Sequence, residues 1–237
     1  MDYTSAIYEK KYSATTDAIF AGKYGAYYKD DASTRQIYGD AMVNFDRYFG
    51  DFSVVATVGA SIKDTDYKYY SIGGDLNSVA NRFTLKNLNQ TKAKFDQEGY
   101  HDQTQSIFGT AQIGWQSKLY LDLTGRIDWP STLAGTNYDY LPYGSVGLSA
   151  ILTDLLPIKS EVLTFLKLRG SYSEVGNFSR RHIANLTYPI VSGSPSTTTY
   201  YPNPDLKPER TKAWEVGLQS RFLRDRLILN VSLYKTS

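Results

Sequence analysis

The chain has 237 residues, with 26 Lys and Arg against 24 Asp and Glu, a net charge of +2, and no cysteine. The even charge balance, with no basic run, removes the electrostatic basis for nucleic-acid binding, and the absence of thiols excludes a disulfide framework, thiolate metal sites and thiol nucleophiles. Its 21 Tyr, 10 Phe and 3 Trp accompany a mean hydropathy of -0.40, which suits strands apolar on one face only, with amphipathic rings at boundaries.

No window of about 18 apolar residues exists, so no transmembrane helix is predicted. The N-terminus, Met1-Asp2-Tyr3-Thr4, has neither the basic segment nor the apolar core of a signal peptide. An exported parent protein is therefore expected to begin upstream.

Taken in order, residues 3–28 are tyrosine-rich but poorly phased and predict two short or irregular strands. A period of two becomes clear at Ile37, where Ile37, Gly39, Ala41, Val43 and Phe45 alternate with Tyr38, Asp40, Asn44 and Asp46. Residues 49–51 turn the chain, and the return strand places Phe52, Val54, Ala56, Val58, Ala60 and Ile62 on one face. A long polar stretch from residue 70 to 103 reads as a loop, with a helical turn possible at 77–88. The next hairpin puts Ile107, Gly109, Ala111, Ile113 and Trp115 on one face, turns at 116–118, and returns with Leu119, Leu121, Leu123, Gly125, Ile127 and Trp129. Tyr120, Asp122, Thr124, Arg126 and Asp128 lie opposite. A loop at 130–139, a strand at 140–153, a connection at 155–161 and a strand at 163–175 follow. After a proline-rich loop at 176–210, Trp214, Val216, Leu218 and Phe222 lead through Arg224-Asp225 to Leu227, Leu229, Val231 and Leu233. Ile228 is the one apolar residue on that last strand's polar side.

From Ile37 onward the connections alternate short and long. Antiparallel up-and-down strands place every other connection at the same end, so the long loops share one rim and the short turns the other, as in outer-membrane barrels. Runs of roughly 10 to 14 residues exceed the common strand of soluble sheets and match what a tilted strand needs to cross a bilayer. The charged residues Asp122, Arg126, Asp128, Lys167, Arg169, Glu215 and Arg221 fall mid-strand on the polar parity. They are expected to line a wet lumen, as a permeation path or as a static ion network.

The stretch NPDLKPERTKAWEVGLQSRFLRDRLILNVSLYK (residues 203–235) resembles the late-barrel segment of TonB-dependent transporters, particularly the SusC/RagA family of Bacteroidota. Its motif residues are Asn203, Pro204, Leu206, Lys207, Pro208, Glu209, Glu215 and Gly217. YLDLTGRIDWPSTL (residues 120–133) and LTFLKLRGSYSEVGN (residues 163–177) are similar to the same family in the same order. The resemblance implies a barrel of about 22 strands, with a plug domain, a TonB box coupling it to the inner membrane, and a SusD-type surface lipoprotein as its lid. On this reading residues 1–237 are an internal, partial barrel domain: an all-β, antiparallel, up-and-down transmembrane segment of roughly 10–12 strands. Plug, signal peptide and C-terminal strands lie outside it. Location in the outer membrane, and import of glycans or peptides by the full-length parent, follow as expectations.

Tyr67, Tyr69, Tyr70, Tyr138, Tyr140, Tyr188, Tyr200 and Tyr201 are the substrate-contact candidates, because an aromatic plate beside Asn and Asp suits sugars. The same tyrosines also suit an interfacial girdle, to which Trp115 and Trp129 are assigned, one at each interface. Pro204 and Pro208 have an ordinary turn role besides any contact with substrate or lid. His101 and His182 are the only histidines and have no second ligand at metal or triad spacing. No catalytic, metal or cofactor site is expected. The competing class is a soluble, exported all-β module binding carbohydrate through its tyrosine-rich loops.

Overall fold

The computed structural model describes residues 1–156, 158, 160–177, 181, 187–191, 193–197, 201, 203, 205 and 207–237. It is almost entirely antiparallel sheet. The strands are β1 (Asp2–Tyr12), β2 (Ala26–Phe49), β3 (Phe52–Asp75), β4 (Lys94–Trp115), β5 (Leu119–Pro130), β6 (Leu141–Ile151), β7 (Leu163–Asn177), β8 (Ile190–Val191), β9 (Ser194–Pro195), β10 (Glu209–Phe222) and β11 (Leu227–Thr236). Nine of them form one sheet in the order β1-β2-β3-β4-β5-β6-β7-β10-β11, while β8 and β9 make a separate two-stranded ribbon. Each strand of the large sheet lies beside its neighbour in the chain, so the up-and-down topology read from the connections is present.

Two details differ from the sequence reading. The poorly phased N-terminal stretch is one regular strand, β1, paired residue for residue with positions 26–36 of β2, and the described residues hold eleven strands, within the ten to twelve expected. Both ends of the supposed loop at 70–103 are strand: β3 and β4 are 24 and 22 residues long, leaving residues 76–93 as the connection. The physical cause is the same in both places. A strand that is polar on both faces keeps its extended backbone but loses the alternation of hydrophobicity by which a sequence reveals it. Tyr67, Tyr69 and Tyr70 consequently sit within β3 and not in a loop. The helical turn contracts to a single 3-10 turn at Leu85–Asn87.

The chain divides into two compact units, residues 1–38 with 63–103 and residues 39–62 with 104–237. The first has a small core of Tyr27, Leu76 and Leu88, against which Tyr24, Ile72, Phe83 and Ala93 pack. Asn87 organises its connection by donating to the carbonyls of Val79 (2.7 Å) and Arg82 (2.9 Å). Asp75 accepts the backbone N–H of Gly22 at 2.9 Å. Gly73 has no room for a side chain, since a Cβ there would stand 2.3 Å from the Tyr28 ring.

The second unit carries the regular wall. Its short connections use left-handed backbone, with φ of 59° at Gly50, 50° and 58° at Gln116 and Ser117, and 54°, 57° and 65° at Leu223, Arg224 and Asp225. That conformation suits tight antiparallel turns. Successive short turns are also bonded to one another or to the adjacent strand end: Gln116 N–H to the Asp51 carbonyl (2.7 Å), Ile151 N–H to that of Lys118 (2.8 Å), and Leu223 N–H to that of Val162 (2.8 Å). The short turns therefore share one rim, as the alternation of loop lengths requires.

Candidate functional site

The register decides which side chains share a face. Gln112 pairs with Asp122, Asp122 with Gly147, Gly147 with Ser171, Ser171 with Glu215, and Glu215 with Tyr234. Because side chains alternate at every residue, this row and its even-spaced neighbours place Asp122, Arg126, Asp128, Lys167, Arg169, Glu215 and Arg221 on one face of the sheet. The seven charged residues singled out in the sequence are thus brought together. Along this face the polar groups bond across strands: Gln112 Nε2 donates to Asp122 (2.7 Å), and Thr124 and Ser145 share a hydrogen bond of 2.7 Å.

Two clusters dominate. In the first, Arg126 Nε donates to Asp128 Oδ1 (2.7 Å), Arg126 Nη2 to Ser106 (2.9 Å) and the Tyr143 hydroxyl to Asp128 Oδ2 (2.6 Å). Asp128 is only 4% exposed, so its charge is held by partners in place of water. The second joins three strands: Arg169 Nη2 reaches Glu215 (3.0 Å) and Ser232 (2.8 Å). Arg169 makes this crossing by lying over Gly217, where a Cβ would fall 2.5 Å from its Nε. That is a steric reason for the glycine in the motif that begins at Asn203. At the short-turn end, the Arg221 guanidinium sits 4.8 Å from the Phe165 ring centroid. Arg221 pairs with both Phe165 and Ile228, so the apolar exception on the polar side of β11 lies beside a guanidinium that is stacked on a ring.

The opposite face is apolar and bare. Ile113, Leu121, Leu148, Gly170, Val216 and Leu233 form its central row, with Leu148 57% and Leu233 67% exposed. On β5 this face runs from Leu119 to Trp129, about 34 Å along the strand or about 26 Å along an axis tilted by about 40°. Trp115, beside the short turn at 116–118, and Trp129, at the long-loop end, bracket it.

At the long-loop rim, the motif beginning at Asn203 is tied to the connection between β5 and β6. Asn203 Oδ1 accepts the backbone N–H of Asp205 at 3.1 Å. Asp205 in turn accepts a hydrogen bond from Asn137, and Lys207 Nζ stands 6.0 Å from the Tyr138 ring centroid. The motif therefore has a role in loop-to-loop contact beyond turn formation. Tyr140, Tyr188 and Tyr201 are exposed, Tyr201 at 93%. Glu209 opens β10 directly after Pro208. Tyr200, Pro204, Leu206 and His182 lie outside the described residues.

In the first unit, His101 Nε2 lies 2.7 Å from Asp64 Oδ2, and Gln103 donates to the same carboxylate at 3.4 Å. The His101 hydrogen bond, joined by that of Gln103, holds the Asp64 carboxyl below its ordinary range against the opposing effect of desolvation. These partners are 37 and 39 positions apart, so local spacing gave no sign of them. Tyr67 stacks on Tyr100 at 5.0 Å.

The Tyr27 hydroxyl donates to Glu9 Oε1 (2.6 Å) and Lys11 to Glu9 Oε2 (2.7 Å). Lys11 first, then Tyr27, lowers the Glu9 carboxyl below its ordinary 4.5. The bond to Glu9 pushes the Tyr27 phenol up from 10 to about 12. The raised phenol contributes stability fully present below pH 10 and lost as pH rises through about 12. The lowered carboxyl contributes stability present above pH 4.5 and lost as pH falls through the lowered value. Glu9→Gln is expected to return one phenol toward pH 10, visible as one extra tyrosinate in near-ultraviolet absorbance between pH 10 and 12. A titration curve identical to that of the unmodified protein would remove the Glu9 bond as the cause.

Comparison with known proteins supplies the family. The sequence model described as TonB dependent receptor-like, beta-barrel matches residues 2–237. The chain belongs to the TonB-dependent receptor β-barrel family. This TonB-dependent receptor wall superposes on the RagAB peptide importer in its closed-closed state with a TM-score of 0.68 at 20% identity, covering 89% of this chain and 24% of that one. The RagAB peptide transporter gives 0.65 at 21%, covering 90% and 24%, and the open-open importer 0.66 at 20%, covering 89% and 23%. At this identity the likeness is one of fold. The chain spans about a quarter of the length of these proteins. No curated protein matches it.

Proposed function

We propose that residues 1–237 form part of the barrel wall of an outer-membrane, TonB-dependent importer of the SusC/RagA kind. The intact protein takes up peptides or oligosaccharides, works with a SusD-type surface lipoprotein and draws energy through TonB. In this arrangement the bare apolar face meets lipid, the charged face lines the lumen, the long loops lie outside the cell, and the short turns face the periplasm. Its work is carriage and not catalysis.

The observation that carries the reading is the two-faced register. An apolar band about 26 Å tall backs a continuous polar face, and the strands are joined by turns short at one rim and long at the other. The fold shared with RagAB supports an importer, and RagAB's peptide cargo supports peptides beside glycans.

Residues 1–237 contain no cysteine, so a single cysteine introduced here, with any cysteine elsewhere in the protein replaced by serine, reports topology cleanly. In the intact gene product on whole cells, Asn137→Cys is expected to react with a membrane-impermeant maleimide. Ser117→Cys is expected to react only after the outer membrane is permeabilised. Equal labelling of both before permeabilisation, or recovery of the protein in the soluble fraction, would favour the soluble carbohydrate-binding module.

A further inference from the structure

We propose that Arg210, Lys212 and Lys235, on the apolar side of the wall at its long-loop end, bind the phosphate monoester headgroup of a lipid whose acyl chains lie on the bare face below them. The proposal rests on the importer reading, which sets this face against lipid and this rim in the outer leaflet, and adds to it a subsite and a class of lipid.

The register places the three cations. Leu123, Val146, Tyr172, Trp214 and Lys235 form one row of the apolar face. On β5 that face continues past Leu123 to Trp129. On β10 it stops at Trp214, and the next two residues of the same parity are Lys212 and Arg210. The apolar band therefore ends nearer the short turns on β10 than on β5, as strands tilted across a bilayer require. Trp214 and Tyr172 stand opposite each other at this boundary, both exposed, where interfacial rings belong. Lys212 and Arg210 follow at the level of the headgroups. Lys212 lies between Glu174 of β7 and Ser237 of β11, joined to Ser237 by backbone bonds of 2.8 and 2.9 Å. It stands about 7–8 Å from Arg210 along its own strand and from Lys235 on the next, so the three long side chains can reach one group.

The charges do not balance within the wall. Arg210 donates to Glu174 from Nη1, which leaves the donors on Nε and Nη2. Among the described residues neither Lys212 nor Lys235 has a hydrogen-bond or ion-pair partner for its ammonium group. Lys212 has β7 on one side and β11 on the other, so no strand beyond them can set an acid beside it. Three cations against one carboxylate leave two positive charges next to apolar surface. A phosphate monoester carries about −1.5 to −2 charges near neutral pH and accepts charge-assisted hydrogen bonds from Arg and Lys together. A phosphodiester, with one negative charge, answers half of the excess. A soluble phosphate gains nothing from Val216 and Leu233, which begin directly below Trp214 and Lys235, whereas a lipid covers them with its chains.

Fluorescence anisotropy of a labelled phosphatidic acid, titrated with the intact protein in neutral detergent micelles, tests the assignment. Arg210→Gln and Lys212→Gln are each expected to raise Kd about fivefold, and Lys212→Gln combined with Lys235→Gln about twentyfold. Lys212→Arg, which keeps the charge, is expected to retain binding. Lys118→Gln, which removes the same charge at the short-turn rim, is expected to leave Kd unchanged. Labelled phosphatidylglycerol is expected to bind about fivefold more weakly than phosphatidic acid, and glycerol 3-phosphate is expected not to displace the lipid. Absent saturable binding, or a Kd equal across the Arg210, Lys212 and Lys118 variants, overturns the proposal. Displacement by glycerol 3-phosphate at equal concentration overturns it in favour of a soluble phosphate, and equal affinity for the two lipids overturns the monoester. These failures leave the cysteine topology intact, whereas labels at Asn137→Cys and Ser117→Cys that do not differ would bring down the importer reading itself.

Discussion

Replacing Leu148 by Arg is expected to destabilise the protein in a bilayer by about 2–4 kcal/mol, the cost of a guanidinium near the midplane of a lipid-facing barrel wall. Leu148 is suited to this test because it occupies the central apolar row, between Leu121 and Gly170, and is 57% exposed. No side chain covers it that could rearrange to shelter the charge. Ser171→Arg is the matched control, at a similar height on the polar face. It is expected to cost less than about 1 kcal/mol, since water and neighbouring dipoles are available on that side. Denaturant titration in vesicles, together with the yield of intact protein in the outer membrane, compares the two. Equal losses would show that the faces do not differ in solvent and would break the link between register and membrane.

A second large effect is expected at Asp128. Asp128→Ala removes the acceptor of both Arg126 Nε and the Tyr143 hydroxyl in a place where the carboxylate is 4% exposed. The donors left behind lose their bonds without regaining full hydration, a change of about 3 kcal/mol. The Arg126 side chain is 34% exposed, so part of its charge is rehydrated, which keeps the figure at the lower end of what a fully buried pair loses. Arg126→Met in the same background is expected to recover about 1–2 kcal/mol, because the stranded cation is removed with its partner. A double variant whose loss equals the sum of the two single losses would mean that Arg126 and Asp128 act independently.

The strength of this wall rests on cross-strand contacts more than on a core. Among the described residues only Leu133 and Leu141 are large apolar side chains buried completely, and Leu141 fits against Gly176, where a Cβ would stand 2.4 Å from its Cδ2. Beyond these two and the small core of Tyr27, Leu76 and Leu88, the large apolar side chains are half-buried or exposed. For a soluble sheet this would be a liability to aggregation. For a wall between lipid and a wet lumen it is the required arrangement, since lipid replaces the second layer that a soluble sheet would need.

Where one face is apolar and the other polar, the sequence alone determined strand, face and turn. From Ile107 to Trp129 the alternation, the turn at 116–118 and the opposed sets Leu119-to-Trp129 and Tyr120-to-Asp128 agree with the register residue for residue. The alternation of loop lengths likewise places the short turns at one rim, where Gln116 bonds to Asp51 and Ile151 to Lys118. The physical reason is that an amphipathic strand encodes its own surroundings in a period of two. Only the tertiary structure decided the rest. β1 and the outer parts of β3 and β4 are polar on both faces, so their pairing depends on neighbours that no local period announces. Asp64 meets His101, Asp205 meets Asn137 and Arg169 crosses Gly217 because distant strands bring them level. The basic patch beyond Trp214 exists for the same reason: its cations belong to β10 and β11, and register alone sets them side by side.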